Sequence, residues 1–394
     1  MKLLNNPLIL HVMNQKFFLL TGFLLLSVLA FGQRPNTDEM MYLDENRRFI
    51  FRENIIIPDV NGYMVLKCDF HMHTVFSDGQ VWPSIRNQEV WEDGLDAFAI
   101  TDHIEYQPHK ADVNTDHNRA HELLKNVAPK NNLILVKGSE ITRNTPPGHF
   151  NAIFIKDSSP FIEDRKKEFD RDALMKAAEQ NAFIFWNHPG WQPNIEGSYE
   201  WLPLIDDLYK NNVLHGIEVI NGFGFHLKAL DWCVDKGLTV MGTSDIHNLI
   251  DHDYDRNKEY VHRTMTLVMA KDRTPESIRE ALDKGRTVAW ASKILAGKEE
   301  HVRNLFDACV QFMPSHFTEK KDNGDTINYY EIRNNSDLYF ELVLSEGYAT
   351  KQIILYPRSF QIVSAAGGQS SLSYDVVSTY IRSNKHLNVS FPLK

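Results

Sequence analysis

Imidazole and carboxylate side chains recur along the chain at positions next to short apolar segments. The series begins with two alternating histidines in DFHMHTVFSDG and ends with an alternating aspartate and histidine in GTSDIHN. Because alternate residues of a strand point to the same face, each pair directs two side chains at one point. The candidate residues are His71, His73, Asp78, His103, Glu140, His149, His188, Asp245 and His247.

These side chains are of the types that bind transition-metal ions. Imidazole and carboxylate groups suit zinc, manganese and iron. The nine candidates exceed the roughly four or five ligands that one such ion takes. We therefore expect a site for two or three divalent ions, with Zn, Mn or Fe as the metal.

The elements that must position these residues are strands followed by helices. Between residues 65 and 292, short segments rich in β-branched and aromatic residues alternate with amphipathic segments. This alternation predicts an α/β fold with a parallel sheet, open or closed into a barrel. Loops that follow parallel strands meet at one crevice or barrel mouth, so most of the candidates should meet there. The predicted helices span 83–93, 112–126, 170–180, 199–210, 225–236 and 275–284.

The chain changes character beyond Lys298. Apolar and polar residues alternate there with turn residues between the segments, and we find no helical period. This pattern predicts a small, sandwich-like all-β domain over residues 298–394. Its expected role is packing or contact with a partner.

The N-terminal residues predict a secretory signal peptide. A short polar start containing Lys16 precedes a nearly continuous apolar run over 17–31, and small residues come just before Gln33. This order is typical of a signal cleaved after Gly32. We therefore predict a signal peptide over 1–32, a lead-in over 33–64, and a secreted or periplasmic protein without stable membrane insertion. A retained anchor is the alternative, and the apolar run is short for a membrane span.

Charge and composition narrow the function classes. The formal net charge of −10 disfavours nucleic acid as the default partner, since an acidic chain repels phosphate backbones. A small phosphorylated substrate remains compatible where metal ions reverse the local field. The spacing of Cys68, Cys233 and Cys309 excludes a disulfide framework and a zinc finger. The absence of a G-x-S-x-G motif and of a P-loop excludes serine hydrolases and P-loop NTPases.

The ordered series HMHTVFSDG, TDH, GSE, GHF, NHPG and SDIH resembles the polymerase and histidinol phosphatase (PHP) superfamily. The resemblance covers roughly residues 65–292, and we assign residues 65–297 to the PHP metallohydrolase domain. It implies a distorted (β/α)7 barrel that hydrolyses phosphate monoesters or diesters. The expected nucleophile is a hydroxide that bridges the metal ions of a di- or trinuclear site.

The resemblance also implies how the ligands divide among the ions. Glu140 would bridge two of them, and some relatives carry a histidine where this chain has Asp78. By motif position, the first ion would take His71, His73, Glu140 and Asp245, the second Glu140, His149 and His188, and the third Asp78, His103 and His247.

Three residues are predicted to act in catalysis. Asp245 or His247 would steer or pass a proton, and His188 is a further candidate for that role. Arg143, just past Glu140, would supply a cationic donor to the phosphate. Trp191 could line an apolar wall for a leaving group.

Two other functions remain open. One is an amidohydrolase-like barrel that cleaves C–N or C–O bonds, because such enzymes also begin with H-x-H on their first strand. They generally carry a lysine at a middle strand, where this chain has Glu140. The other is a non-catalytic metal-binding scaffold, against which the full ligand set argues.

Overall fold

The computed structural model describes residues 37, 40–43, 46, 49–162 and 171–393. The predicted signal peptide, residues 1–32, lies outside the described residues. Residues Arg52–Lys394 group into one unit and the residues before Arg52 into another. None of the described helices has the length and apolar content that a membrane span requires.

Strands and helices alternate through the first part of the larger unit. The strands are β1 Met64–Asp69, β2 Ala97–Ile100, β3 Ile134–Ile141, β4 Phe150–Ile153, β5 Phe183–Trp186, β6 Gly216–Asn221, β7 Gly224–Phe225, β8 Thr239–Thr243, β9 Met265–Ala270, β10 Thr287–Ala291 and β11 Ile294–Gly297. The helices are α1 Pro83–Glu92, α2 Arg119–Leu124, α3 Asp172–Glu179, α4 Pro203–Lys210, α5 Leu227–Lys236, α6 Ile250–Asp253, α7 Pro275–Asp283 and α8 Glu299–Cys309. The remaining strands are β12 Val310–Phe312, β13 Phe317–Lys320, β14 Thr326–Asn334, β15 Phe340–Glu346, β16 Gln352–Leu355, β17 Phe360–Ala366, β18 Ser371–Arg382 and β19 Lys385–Pro392.

Local sequence explains where several helices begin. α7 starts at a proline, which suits the first turn, and the Thr274 hydroxyl accepts a hydrogen bond from the Ser277 amide. The helix predicted over 112–126 forms only over Arg119–Leu124. Side chains of Asn114 and Asp116 instead accept hydrogen bonds from backbone amides two residues on, which stabilises turns in place of a helix.

The α/β fold class is confirmed, but the prediction of a parallel sheet is wrong for part of it. β1, β2 and β3 are parallel, as are β5, β6 and β8. β4 runs antiparallel to both β3 and β5. β9 lies antiparallel between β1 and β10. No helix of the described residues connects β3 to β4, so the chain turns straight back instead of crossing over.

The barrel closes through side chains of β9 and β10 that bond the backbone of β8. The Thr266 hydroxyl accepts a hydrogen bond from the Gly242 amide (2.9 Å) and donates one to the Gly242 carbonyl (2.7 Å). The Thr287 hydroxyl donates to the carbonyl of Val240. A Cβ at Gly242 would lie 2.7 Å from the Met265 carbonyl oxygen, so the close approach requires glycine. At this seam, side-chain hydrogen bonds and a close backbone approach join the strands.

The C-terminal strands form two antiparallel sheets that share one core. β12, β13, β14 and β17 form one sheet, and β15, β16, β18 and β19 join the sheet of the barrel through a parallel pairing of β18 with β11. The predicted absence of a helical period beyond Lys298 is wrong, because α8 occupies Glu299–Cys309. Its buried positions, Val302, Leu305, Phe306 and Cys309, follow a helical spacing.

Candidate metal centre

The two alternating motifs lie side by side at one end of the barrel. The His73 amide donates to the Ile246 carbonyl (3.0 Å), and the Asp245 amide donates to the His71 carbonyl (2.9 Å). Asp245 adopts a positive φ of 52°, which these backbone contacts hold in place. The side chains then converge, since Asp245 Oδ1 lies 3.1 Å from Nε2 of both His71 and His73.

Glu140, at the end of β3, lies at the centre of the site. Its side chain is buried, and Asn187 donates a hydrogen bond to Oε1 (2.9 Å). Its carboxylate oxygens lie close to imidazole nitrogens of His71 (3.4 Å), His73 (3.3 Å), His103 (2.9 Å), His149 (3.0 Å) and His188 (3.7 Å).

A second group of ligand atoms surrounds Asp78. Its Oδ1 lies 3.3 Å from His247 Nε2, 3.6 Å from His103 Nε2 and 3.7 Å from His73 Nδ1. The ring of His73 stacks between those of His247 and His103, with centroids 4.1 and 4.5 Å away. The nine residues singled out from the sequence therefore meet at one place, and we call them the ligand cluster.

The ligand cluster fits divalent cations. Asp78 Oδ1 and Glu140 Oε2 are buried, and neither accepts a well-oriented hydrogen bond from any described residue. Burial together with His247 and His103 lowers the pKa of His73 to about 3, which leaves its imidazole neutral. Burial opposes ionisation of Glu140, but His103, His71 and His149 hold the pKa of its carboxyl well below the ordinary value. Burial opposes protonation of His103, but Glu140 and Asp78 raise its pKa to about 9, so this imidazole must release a proton to bind a metal ion.

Comparisons with known proteins identify the family. The crystal structure of a two-domain protein from Bacteroides vulgatus ATCC 8482, containing a predicted PHP-like metal-dependent phosphoesterase, has a TM-score of 0.81. It is 41% identical and covers 87% of this chain and 99% of its own length. The chain belongs to the PHP-like family.

Further comparisons concern the C-terminal domain and two structures of low sequence identity. A family profile described as an Ig-like domain matches residues 310–392. An amidohydrolase from Chromobacterium violaceum with bound sulfate and no metal is 14% identical (46% of this chain, 87% of its own, TM-score 0.35). A predicted metal-dependent phosphoesterase from Bifidobacterium adolescentis is 18% identical (55% of this chain, 96% of its own, TM-score 0.35). No curated protein matches the chain.

The PHP site opens into a cavity of about 290 Å³. Its lining residues are Asp78, His103, Glu140, His149, His188, Trp191, Asn221, Asp245 and His247. The Trp191 ring lies beside those of His149 and His188, at centroid distances of 5.9 and 5.5 Å. Asn221 donates a hydrogen bond to Asp245 Oδ2 (3.2 Å).

Arg143 lies in an ion pair with Glu105 and also donates to the Thr142 carbonyl (2.6 Å). The residues that line the cavity do not include it. Asp102, the residue before His103, accepts hydrogen bonds from the Thr74 amide and hydroxyl and from the Ser77 hydroxyl. The phosphate-binding role of Arg143 therefore stays a prediction.

A larger cavity of about 550 Å³ lies elsewhere, between barrel and C-terminal strands. Charged side chains on its wall pair with each other, as Arg256 does with Asp93 and Arg358 with Asp337. None of the nine ligand residues lines it. The smaller cavity is therefore the candidate active site of this PHP protein.

A buried ionic network supports the backbone of the ligand motifs. Arg86 donates to the carbonyls of His73 (2.9 Å) and Ile246 (3.2 Å). Arg263 donates to Asp93 (2.7 Å) and to Met72 Sδ (3.0 Å), the residue between the two histidines. The network comprises Asp69, Arg86, Glu89, Asp93 and Arg263.

Sequence reasoning missed Glu218, which contacts the ligand cluster from behind. It lies in β6, is fully buried, and its Oε1 is 2.7 Å from His71 Nδ1. The available signal was a charged residue within the apolar segment GIEVIN, where burial is costly without partners.

Proposed function

We propose that this PHP protein hydrolyses phosphate esters with two or three divalent ions held by the ligand cluster. The observation that carries the proposal is the position of Glu140, whose carboxylate lies within 3.7 Å of five imidazoles beside an open cavity. When bound, the ions would neutralise phosphate charge and lower the pKa of a water molecule towards ~7, so that hydroxide forms near neutral pH.

The protein's own groups divide into those that hold the ions and those that handle protons. His247 is the most exposed imidazole of the cluster, with a third of its side chain accessible. Its Nδ1 lies 2.8 Å from the Asp245 carbonyl, so this nitrogen carries the hydrogen and Nε2 faces Asp78. With two ions bound and the Asp78 side of the cluster free, we assign proton exchange with solvent to His247, and we retain Asp245 as a ligand that can also orient the attacking group.

The substrate that suits this site is a small phosphorylated molecule. The cavity of about 290 Å³ admits a phosphate with a modest leaving group, and Trp191 offers an apolar surface at its rim. The predicted signal peptide leads us to propose that the enzyme acts outside the cytoplasm.

The test uses the chain without residues 1–32. Bound Zn, Mn and Fe are measured, and phosphomonoesters, phosphodiesters and amides are assayed with and without chelator. We expect phosphoesterase activity that chelation abolishes and that His71→Ala reduces sharply. His215→Ala is the matched control, because His215 is a partly buried histidine that packs on Phe183 away from the cluster. Phosphate ester hydrolysis that survives both chelation and His71→Ala would contradict the proposal, and hydrolysis of amides alone would favour an amidohydrolase.

A further inference from the structure

Four polar groups converge on the carboxylate of Glu218. Oε1 contacts His71 Nδ1 (2.7 Å) and the Thr243 hydroxyl (2.6 Å). Oε2 contacts the backbone amide of His188 (2.7 Å) and the side-chain amide of Asn221 (2.8 Å). The side chain is fully buried, so these contacts replace water entirely.

The chemistry of these contacts fixes the hydrogen on His71. A carboxylate only accepts hydrogen bonds, and its other three partners are an amide N–H, an amide NH₂ and a hydroxyl. His71 Nδ1 therefore donates, so in the neutral imidazole that binds a metal ion the lone pair is on Nε2. That Nε2 lies 3.1 Å from Asp245 Oδ1 and 3.4 Å from Glu140 Oε2, inside the ligand cluster.

The same carboxylate fixes the backbone of a second ligand. His188 has a positive φ of 29°, a conformation that a non-glycine residue keeps only when its surroundings hold it. Glu218 accepts the hydrogen bond of the His188 amide and, through Asn221, also connects to Asp245 Oδ2. One buried side chain thus contacts two ligands directly and a third through an amide.

We propose that Glu218 is the positioning residue of the half of the centre built on His71 and His188. It sets the tautomer and orientation of His71 and the backbone position of His188. None of its hydrogen bonds goes to Asp78, His103 or His247. The inference rests on the proposed metal centre. It implies that metal binding at His71 and His188 depends on Glu218, whereas metal binding at Asp78, His103 and His247 does not.

The test is Co²⁺ binding to the metal-free chain, followed by calorimetry and by the visible absorption spectrum of the bound ion. Glu218→Gln keeps the size of the side chain but replaces one acceptor oxygen with NH₂. Oε2 faces two N–H donors, and Oε1 faces the His71 Nδ1 hydrogen and the Thr243 hydroxyl, so a glutamine NH₂ at either position meets at least one N–H donor. We expect Co²⁺ binding to be about 10- to 100-fold weaker at one step of the titration, with a changed absorption spectrum. The step that reports binding to Asp78, His103 and His247 should be unchanged.

The matched control is Glu89→Gln. Glu89 is also buried and bonds Arg86 and the Ile250 amide, but no imidazole of the ligand cluster. We expect this variant to lose stability and keep the Co²⁺ affinity and spectrum of the wild type. An equal loss of affinity in both variants, or wild-type affinity in Glu218→Gln, overturns the proposal.

A measurement on the wild type covers the case in which Glu218→Gln does not fold. Nitrogen-15 NMR of the imidazoles reports which nitrogen of His71 carries hydrogen. We expect hydrogen on Nδ1, and hydrogen on Nε2 in the metal-loaded protein overturns the proposal. These readouts need no substrate, so a protein that binds Co²⁺ as described but hydrolyses no phosphate ester refutes the proposed reaction alone.

Discussion

Two clusters of buried charge lie next to each other in this protein, and they are neutralised in different ways. In the ionic network, the guanidinium groups of Arg86 and Arg263 face the carboxylates of Asp69, Glu89 and Asp93. In the ligand cluster, three carboxylates face imidazoles, and the described residues that line the cavity include no lysine or arginine. Every carboxylate oxygen of the network has a hydrogen-bond partner among the described residues, and only Nη2 of Arg263 lacks one, whereas the ligand cluster leaves carboxylate oxygens of Asp78 and Glu140 that suit added cations.

The two clusters therefore have different roles, because the ionic network fixes the backbone and the ligand cluster supplies the reactive side chains. Asp69 accepts hydrogen bonds from the amides of His71 (3.3 Å) and Ser244 (3.1 Å), so the network holds backbone. The ligand cluster projects side chains from that backbone into a cavity. We therefore expect substitutions in the network to lower stability with little change in metal affinity, and substitutions in the ligand cluster to do the reverse.

The largest effect is expected for Glu140→Gln. The variant removes the charge that lies among five imidazoles, so metal binding and phosphoesterase activity should fall more than about 100-fold, since even groups behind the ligands are worth 10- to 100-fold. Metal content after dialysis and activity at fixed metal concentration measure both losses. Retention of the full metal content would remove Glu140 from the centre and break the comparison.

Arg263→Met tests the network. The variant leaves Asp69 and Asp93 buried with one partner fewer, which typically costs about 3–5 kcal/mol. Urea unfolding of wild type and variant, both with chelator present, measures the difference. The folded variant should still bind metal ions with the wild-type affinity. A loss of stability below about 1 kcal/mol would contradict the stabilising role of the network. A change in metal stoichiometry would show that the two clusters are not separable.

Removal of each metal ion should have a smaller and more local effect on stability than Arg263→Met. One ion at 100 times its dissociation constant stabilises a folded protein by about 2.7 kcal/mol. Hydrogen exchange on the metal-free chain should lose protection around residues 71–73 and 245–247, while β14 and β18 keep theirs. Uniform loss of protection across both regions would argue that the centre is part of the folding core.

The ligand cluster was accessible to sequence reasoning because its residues sit in short motifs with fixed spacing. H-x-H and D-x-H each place two side chains on one face, and the α/β pattern explains why the motif ends meet. The residues that support the ligand cluster could not be predicted from such motifs. Glu218 reaches His71 across 147 residues of sequence, and no local pattern reports that contact.

Two errors in the predicted fold have different physical causes. The antiparallel placement of β4 depends on a chain reversal between β3 and β4, which strand composition does not encode. The missed α8 did carry a local signal in Val302, Leu305, Phe306 and Cys309. The alternating strands that follow it masked that period, because the whole segment beyond Lys298 was interpreted as β structure.

The smallest effect on stability is expected for Arg303→Ala, which removes an ion pair at the surface. Arg303 and Glu299 keep 39% and 47% of their side chains accessible, so solvent screens their attraction. We expect a loss of about 0–1 kcal/mol that shrinks further in 1 M salt, because the Debye length there is about 3 Å. The cost of Arg263→Met should persist in 1 M salt, since its partners are shielded from ions by burial. If both costs fell equally with salt, the network would be accessible to solvent and burial could not be what distinguishes it from the surface.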